Sequence, residues 1–513
     1  MNLKKENNIA ESPFDSPLDM FWHAVESYPD RRALVSESRE LCYGGFAAAV
    51  ISLAEQIRAY KKKRPTLAIV LPNGMAFCCA VFAGWQTNCV ISVHNFVQPE
   101  KALENQFSLV NPDLVMAPLD QNDRLTRIAP NADHIFLNDG CFAHNGAQAQ
   151  SRPDWPVAAR DDLSLLLFTG GTTGIPKSVE HSFATIVASV RGMEHAWPTE
   201  TGKEVWLSIS PMFHVYGLLF CVLSPVFSVA TNVMGYPFRT DLCVNLLKKH
   251  HVTVLSGGPP AIYSALLLNP DFDEAAFAGL KACGGGGAPF TKDVLDRWRA
   301  KTGVPITEAY GMTEMAPITA NSLEHGNRSG SVGRAGPEQD IRIRDLDSGD
   351  ILPAGGTGGI FVRGPQAMMR YHNNPEETAA VLKNGWLETG DVGHLDGDGF
   401  LFLTGRTKEM INVSGFKVYP RELDEIFNQH PSVSESCTLG IPDSRSGEAV
   451  VSCLVLYEGR TLTKEDIENY SNHLLSSYKR PKHIYFMDNI PTTSSGKQDR
   501  KALLKLLTQN NDA

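Results

Sequence analysis

Residues 163–177 read LSLLLFTGGTTGIPK, a short apolar run that passes directly into a loop of glycines, threonines and one lysine. Leu163–Phe168 fits a fully buried strand. In the loop that follows, glycines let backbone N–H groups close on oxygen atoms, threonine hydroxyls add donors, and Lys177 supplies a point charge. Those are the parts of a phosphate cradle. The plainer alternative is a glycine-rich turn between a strand and a helix. A Walker A loop has glycine directly before its lysine, and Pro176 stands there instead, so a P-loop NTPase is disfavoured.

The pattern recurs outward from that stretch. Val205–Ser210 reads as a strand closed by Pro211, and Val252–Leu255 as one ending in Gly257-Gly258-Pro259-Pro260. Leu280–Cys283 runs into Gly284–Gly287, and Pro305–Glu308 into Tyr310-Gly311-Met312-Thr313-Glu314. Helical patterns at Asp241–Lys249 and Thr291–Ala300, the latter capped by Thr291, separate several of them. Strand, special loop and helix in repetition predict an α/β fold with ligand loops at the carboxyl ends of parallel strands. Upstream, a helix is expected over Phe46–Tyr60, a strand over Leu67–Leu71 and a helix from Met75, with a surface loop over Ala147–Arg160.

After Asp340 the texture changes. Ile341 and Ile343, Ile360 and Val362, and Phe400 and Phe402 alternate with small or polar residues, which predicts a small β subdomain over about 335–404. From Asn412 a mixed unit follows, with helices at Arg421–Gln429 and Lys464–Leu475 and strands at Ser436–Leu439, Val450–Leu456 and His483–Phe486. The expected division is a large domain over 1–404, a hinge at 405–408 and a small α+β domain over 409–513.

Composition narrows the function classes. The chain has 513 residues, 42% hydrophobic and 20% charged, and a formal charge of −10. That excludes a disordered or collagen-like chain, and nothing in it carries the basic excess of a nucleic-acid binder. Ten cysteines show no C-x-x-C spacing and read as small buried hydrophobes of a reducing, cytoplasmic compartment. The N-terminus lacks the apolar core of a secretory signal. Between Glu204 and Arg239 there is no charged residue, a length sufficient to span a bilayer. Pro211, His214, Pro225 and Asn232 interrupt it, so it is read as buried core, with no transmembrane segment. Peripheral membrane contact and oligomerisation stay open.

Further segments carry candidate chemistry. Tyr310-Gly311-Met312-Thr313-Glu314 sets an aromatic ring, a hydroxyl and a carboxylate at a strand end, as a nucleotide base and Mg²⁺ require; alone it reads equally as a common aromatic-glycine turn with a solvated glutamate, and it gains weight beside the first loop. Thr389-Gly390-Asp391 and Gly405-Arg406-Thr407-Lys408 offer a carboxylate and a guanidinium suited to sugar hydroxyls, or simply turns and surface charge. Pro491-Thr492-Thr493-Ser494-Ser495-Gly496-Lys497 sets a lysine on a small polar loop, which taken alone reads as a solvated terminal lysine.

Together, TGGTTGIPK, PMFHVYG, GGGGAPF, YGMTE, TGD, GRTKEMINVSGFKVYP and TTSSGK make the sequence resemble the adenylate-forming (AMP-binding) superfamily of acyl- and aryl-CoA synthetases, luciferases and peptide-synthetase adenylation domains. Within it the chain is most similar to bacterial medium- and long-chain fatty-acid CoA ligases, through VRGPQAMMRYHNNPEET, KNGWLETGD and KEMINVSGFKVYPRELDEI. The likeness covers about Phe14 to Leu507. It implies ATP-dependent activation of a carboxylic acid to an acyl-adenylate, then transfer to CoA with release of AMP. It also implies a large domain of parallel α/β sheets followed by a small mobile C-terminal domain.

The resemblance assigns roles residue by residue. Thr169, Gly170, Gly171, Thr172, Thr173, Gly174 and Lys177 would hold the β- and γ-phosphates. Glu314 with Thr169 or Thr172 would place Mg²⁺. Gly286, Gly287, Ala288 and Pro289 would line the adenine slot, with Tyr310 stacking and Gly311, Met312 and Thr313 beside it. Asp391 and Arg406 would bind the ribose. Lys497 would neutralise charge as the carboxylate meets the α-phosphate. His214 would stand between the acid and thiol channels, with Tyr216, Gly257 and Gly258 lining the acyl pocket. Lys408 would be the hinge, and the pantetheine arm of CoA would enter past Gly415.

Two positions depart from the family pattern, Gly170 where serine is frequent and Ser178 where glycine is. Phe213-His214 replaces the Phe-Asp of amino-acid-activating relatives, so an amino acid is disfavoured. Gly257 and Gly258 leave space for a long chain, unless a neighbouring side chain fills it. The alternatives are an acyl-AMP ligase that loads carrier-protein phosphopantetheine, an aryl-acid CoA ligase, and a nucleotide-binding regulator without catalysis. The joint presence of Lys497, Glu314 and Asp391 speaks against the last.

Overall fold

The strand that opens the glycine-threonine loop does not lead into a helix. In the structure, a computed structural model that describes residues 14–137, 148–169, 176–492 and 498–509, Leu163–Thr169 pairs antiparallel with Lys177–Ser182, and Thr169 lies opposite Lys177. The helix starts only at Phe183, where the Ser182 hydroxyl accepts the Thr185 N–H at 3.3 Å. This corrects the expected strand–loop–helix order. Lys177–Ser182 hides from a hydropathy reading because Glu180 and His181 lie inside it. Both are buried, and both have partners there: Glu180 an ion pair with Arg370 and a hydrogen bond with His372, His181 the Thr313 carbonyl.

These strands belong to a seven-stranded sheet in the order Arg370–Tyr371, Lys177–Ser182, Leu163–Thr169, Val90–Val93, Thr66–Ile69, Leu114–Pro118 and Asp133–Leu137. The last five run parallel. The helix Met75–Gln86 is buried on every side, and its Trp85 donates to the Ser164 carbonyl at 2.9 Å, fixing the strand beneath the loop. Burying that indole contributes about 2–3 kcal/mol.

A second sheet of eight strands runs Met315–Ala320, Ile306–Met312, Ala282–Gly286, Val254–Gly258, Val205–Ser208, Thr231–Met234, Arg32–Val35 and Glu40–Cys42. Its six central strands are parallel, as the βα repeats require. The uncharged stretch 204–239 supplies two of them, Val205–Ser208 and Thr231–Met234, joined by short helical turns whose residues Leu218–Leu223 are buried. Among the described residues no helix is long and apolar enough to cross a membrane.

The chain packs as two compact units. One comprises Met1–Phe290, Val294–Asp340 and Val362–Leu387, and holds both large sheets; the other comprises Thr291–Asp293, Ile341–Phe361 and Glu388–Ala513. In the second unit, Val433–Asp443 and Gly447–Leu456 form a long antiparallel pair. Its two faces carry separate cores: Val450 and Leu454 meet Leu423, Phe427 and Ile467, while Val451 and Cys453 meet Leu503 and Leu507. That is the period-2 alternation of a sheet covered on both sides. The described cysteines are all free thiols, and eight of the nine are buried.

Candidate active site

The glycines expected beyond the strand ends lie inside the strands. Val254–Gly258 includes Gly257 and Gly258, and Ala282–Gly286 includes Gly284 to Gly286. Close packing explains why. A Cβ on Gly257 would come within 2.6 Å of the Tyr263 ring, and one on Gly258 within 2.9 Å of the Ser210 hydroxyl. The space beside Gly257 is therefore filled by Tyr263. The Tyr216 and Tyr263 hydroxyls both donate to the Gly284 carbonyl, at 3.0 and 2.6 Å. Tyr216 packs on Phe220 with ring centroids 4.4 Å apart. The result is a wall of aromatic rings against a glycine-lined strand.

His214 opens the helical turn Val215–Leu218, its Nδ1 accepting the Tyr216 N–H at 3.3 Å. Gly217 permits that turn, because a Cβ there would lie 1.9 Å from the Pro211 carbonyl oxygen. Beyond the glycine strand, Gly287 takes a φ of +80° with open space where a Cβ would stand, and Ala288 and Pro289 follow toward the surface. Tyr310, Gly311 and Met312 end the strand Ile306–Met312, Tyr310 being buried. Thr313 and Glu314 form the turn into Met315–Ala320, an antiparallel partner that the sequence reading did not anticipate.

That turn is tied to the base of the glycine-threonine loop. His181 Nε2 donates to the Thr313 carbonyl at 2.9 Å, and the Met368 N–H donates to the Glu314 carbonyl at 2.7 Å. Burial pushes the His181 imidazole down to about 4, so it is neutral at pH 7 and its one proton serves this bond. The Tyr371 hydroxyl donates to Glu314 Oε1 at 2.6 Å, and the Lys177 ammonium sits over the Tyr371 ring, 4.7 Å from its centroid. Lys177 also pairs with Glu377. Thus Thr169, Lys177, Thr313 and Glu314, distant in sequence, are stitched into one network. His181, Tyr371 and Glu377 are the members that the sequence reading missed.

In the second unit, Asp391 and Arg406 are directly opposed on neighbouring strands, with Arg406 Nε 3.0 Å from Asp391 Oδ1. The Asp391 N–H donates to the Thr389 hydroxyl at 3.1 Å, and that hydroxyl donates to the Ile360 carbonyl at 2.9 Å. Asp391 is buried and Arg406 half-exposed. Lys408 lies exposed in the single turn Thr407–Glu409. Ser414 and Gly415, with φ of +53° and +88°, form the two-residue tip between Ile411–Val413 and Phe416–Val418. A Cβ on Gly415 would meet nothing within 4 Å. Gly170, Gly171, Thr172, Thr173, Gly174 and Lys497 lie outside the described residues.

The residue chemistry fits a nucleotide triphosphate with its metal. Lys177 already holds one anion, the Glu377 carboxylate. Glu314 and Thr169 offer hard oxygen donors, and no group of three or more His, Cys, Asp or Glu side chains among the described residues makes a cage of its own. A Mg²⁺ ion that arrives on phosphate oxygens and needs only one or two protein ligands suits that set.

Comparison with known proteins finds similarity over nearly the whole chain. The model of the AMP-binding enzyme family matches residues 21–372, and that of the AMP-binding enzyme C-terminal domain matches residues 422–497. The long-chain-fatty-acid–CoA ligase of Bacillus subtilis (strain 168) is 30% identical, covering 98% of this chain and 98% of that protein. The enzyme of the same name from Yersinia pestis is 35% identical, covering 96% of this chain and 94% of its own. Among solved structures, ATP-bound MatB from Rhodopseudomonas palustris superposes with a TM-score of 0.89 at 25% identity, over 96% of this chain and 98% of that one. The o-succinylbenzoate CoA synthetase (MenE) from Bacillus subtilis, in complex with its acyl-adenylate intermediate, gives 0.82 at 26% identity, over 94% and 97%.

Proposed function

The chain belongs to the AMP-binding enzyme family, and from that premise we propose that it is a fatty-acid–CoA ligase. A carboxylate is a poor acyl donor because it has no leaving group. In the first half-reaction a carboxylate oxygen attacks the α-phosphorus of ATP and pyrophosphate departs. In the second, the CoA thiol attacks the acyl carbon and AMP departs, carrying away the carbonyl's former partner oxygen.

The observation that carries this reading is the network joining Lys177 to Glu314. It gathers a cation for the β- and γ-phosphates and a buried carboxylate for the metal. Thr169, Gly170, Gly171, Thr172, Thr173 and Gly174 would line the same phosphates. Glu314, with Thr169 and Thr172, would hold Mg²⁺, which when bound offsets phosphate charge. Gly286 to Pro289 and Tyr310 to Thr313 would frame the adenine. Asp391, its oxygens facing a strand neighbour that is itself a donor, would accept from ribose hydroxyls beside Arg406. Lys497 would bridge the attacking carboxylate and the α-phosphate. His214 and Tyr216 would border the acyl group, and Gly415, open at its Cβ, would leave passage for pantetheine. The domain limits 1–404 and 409–513 and the hinge at Lys408 belong to the same proposal, as does a cytoplasmic location, which the buried free thiols suit.

The fatty acid is favoured by the named relatives over nearly the whole chain. An aryl acid is the second reading, supported by the likeness to MenE and by the aromatic wall of Tyr216, Phe220 and Tyr263. The test is a panel of aliphatic and aryl acids assayed by pyrophosphate release with and without CoA. Release stimulated by medium or long aliphatic acids, with CoA-dependent turnover, is expected. Stimulation by aryl acids alone overturns the fatty-acid reading. Release without thioester formation from free CoA, restored by a phosphopantetheinylated carrier protein, identifies a carrier-loading ligase instead.

A further inference from the structure

The strand Arg370–Tyr371 has only two residues, and a strand that short does not hold its own position. Two ladder partners, Glu180 and Val179, flank it on one edge. Backbone bonds from Met369 and His372 to the Lys177–Ser182 strand hold it, and a buried carboxylate adds to them. Glu180, its side chain 3% exposed, meets Arg370 Nε through one oxygen and His372 Nδ1 through the other, each at 2.8 Å. Residues two apart on a strand share a face and the residue between them points the other way. Clamping Arg370 and His372 to Glu180 therefore turns Tyr371 to the opposite face, where its hydroxyl reaches Glu314.

We propose that Tyr371 is a positioning residue for the ATP-activating step: its hydroxyl aims the Glu314 carboxylate and its ring seats the Lys177 ammonium. The inference rests on the reading of Glu314 as a metal and phosphate ligand. A tyrosine hydroxyl has a single proton, and here it goes to Glu314 Oε1 at 2.6 Å. Hydrogen bonds to an ionised carboxylate are short and strong, so the oxygen is held in one orientation before metal or nucleotide arrives. The same ring offers its π-face to Lys177 at 4.7 Å. One side chain thereby sets the distance between the cation and the carboxylate that the triphosphate must bridge.

The Tyr371→Phe variant keeps the ring and removes only the donor. In acid-dependent exchange of labelled pyrophosphate into ATP, the Mg²⁺ concentration for half-maximal rate is expected to rise roughly tenfold, because a charge-assisted hydrogen bond no longer orders the ligand. A merely structural tyrosine would lower the rate equally at all Mg²⁺ concentrations and leave the half-point in place, and that result overturns the inference. Glu180→Gln, which loosens the clamp without touching the Tyr371–Glu314 pair, is expected to shift the half-point in the same direction by a smaller factor. It also serves if the phenylalanine variant folds poorly, and an unmoved half-point in Glu180→Gln then overturns the inference. Glu314→Gln separates the two levels. If it exchanges pyrophosphate like the parent protein, the reading of Glu314 fails. If it is defective while Tyr371→Phe titrates with Mg²⁺ like the parent, only the role of Tyr371 fails.

Discussion

Lys177 is held by the Glu377 carboxylate and lies over the Tyr371 ring. A triphosphate that takes this ammonium must displace Glu377, which sits at the start of the helix Pro375–Val381 with its side chain 48% exposed. An ion pair so exposed is worth only about 0–1 kcal/mol after screening. Glu377→Gln is therefore expected to lower the KM for ATP by up to about fivefold and leave kcat within twofold, read from initial rates at saturating acid and Mg²⁺. A raised KM would mean that Glu377 holds the lysine for the nucleotide rather than covering it. Lys497→Ala is expected to slow acyl-adenylate formation by several orders of magnitude and to spare thioester formation from pre-made acyl-adenylate. Equal loss in both halves would remove the assignment of Lys497. At this scale Glu314 stands out only in company: alone an aromatic-glycine turn with a glutamate is a weak signal, and it gains weight beside the glycine-threonine loop. Tyr371 and Glu377 do not stand out, because Tyr371-His372-Asn373-Asn374-Pro375-Glu376-Glu377 reads as an ordinary surface helix start, with Asn374 as cap and Pro375 in the first turn.

Among elements, the strand Lys177–Ser182 departs furthest from expectation and has the plainest consequence for stability. Its His181 is fully buried, with a folded-state value of about 4 against an ordinary 6.5. A value lowered by folding means that the unfolded chain binds the proton more tightly. The stabilisation is then complete above pH 6.5 and is lost as pH falls toward 4, by about 3 kcal/mol at most. Glu194 works in the opposite sense: burial raises it to about 7, so its contribution is complete below its ordinary value and fades as pH rises through 7. The comparison of parent with His181→Asn isolates the histidine. The asparagine retains a donor for the Thr313 carbonyl, and its unfolding midpoint should fall less steeply between pH 6.5 and 4; parallel pH profiles would count against a buried neutral imidazole. Strands of continuous apolar sequence were readable within a residue or two, as in Leu163–Thr169 and His483–Phe486. Lys177–Ser182 and Met315–Ala320 were not. The first hides a buried glutamate and histidine whose partners come from elsewhere in the chain, and the second contains Pro317, which local rules exclude from all but an edge strand, the position it occupies.

For the molecule as a whole, the order of βα repeats and the change of texture after Asp340 made the α/β architecture and the separate C-terminal sheet legible. The compact units themselves are interleaved in sequence, residues 341–361 packing with the C-terminal segment and 362–387 with the large sheets. Linear texture cannot reveal that exchange, because it depends on which long-range contacts each short strand makes. On the proposed assignments, both half-reactions would draw on groups C-terminal to Lys408: Lys497 for adenylation, and the Ser414–Gly415 tip for entry of the thiol. One segment that serves two reactions in turn needs backbone freedom at its root, and Lys408 lies exposed in the turn Thr407–Glu409. Lys408→Pro fixes φ near −65° and removes an N–H, while the preceding residue loses access to the helical region. Adenylation, followed as pyrophosphate release in a single turnover without CoA, is expected to fall no more than about threefold. Transfer to CoA, started from pre-formed acyl-adenylate, should fall at least about a hundredfold, since the barrier then includes a rotation that the ring forbids. Equal rates in the two assays would mean that both halves proceed from one arrangement of the chain, and the hinge would have to be sought elsewhere or given up.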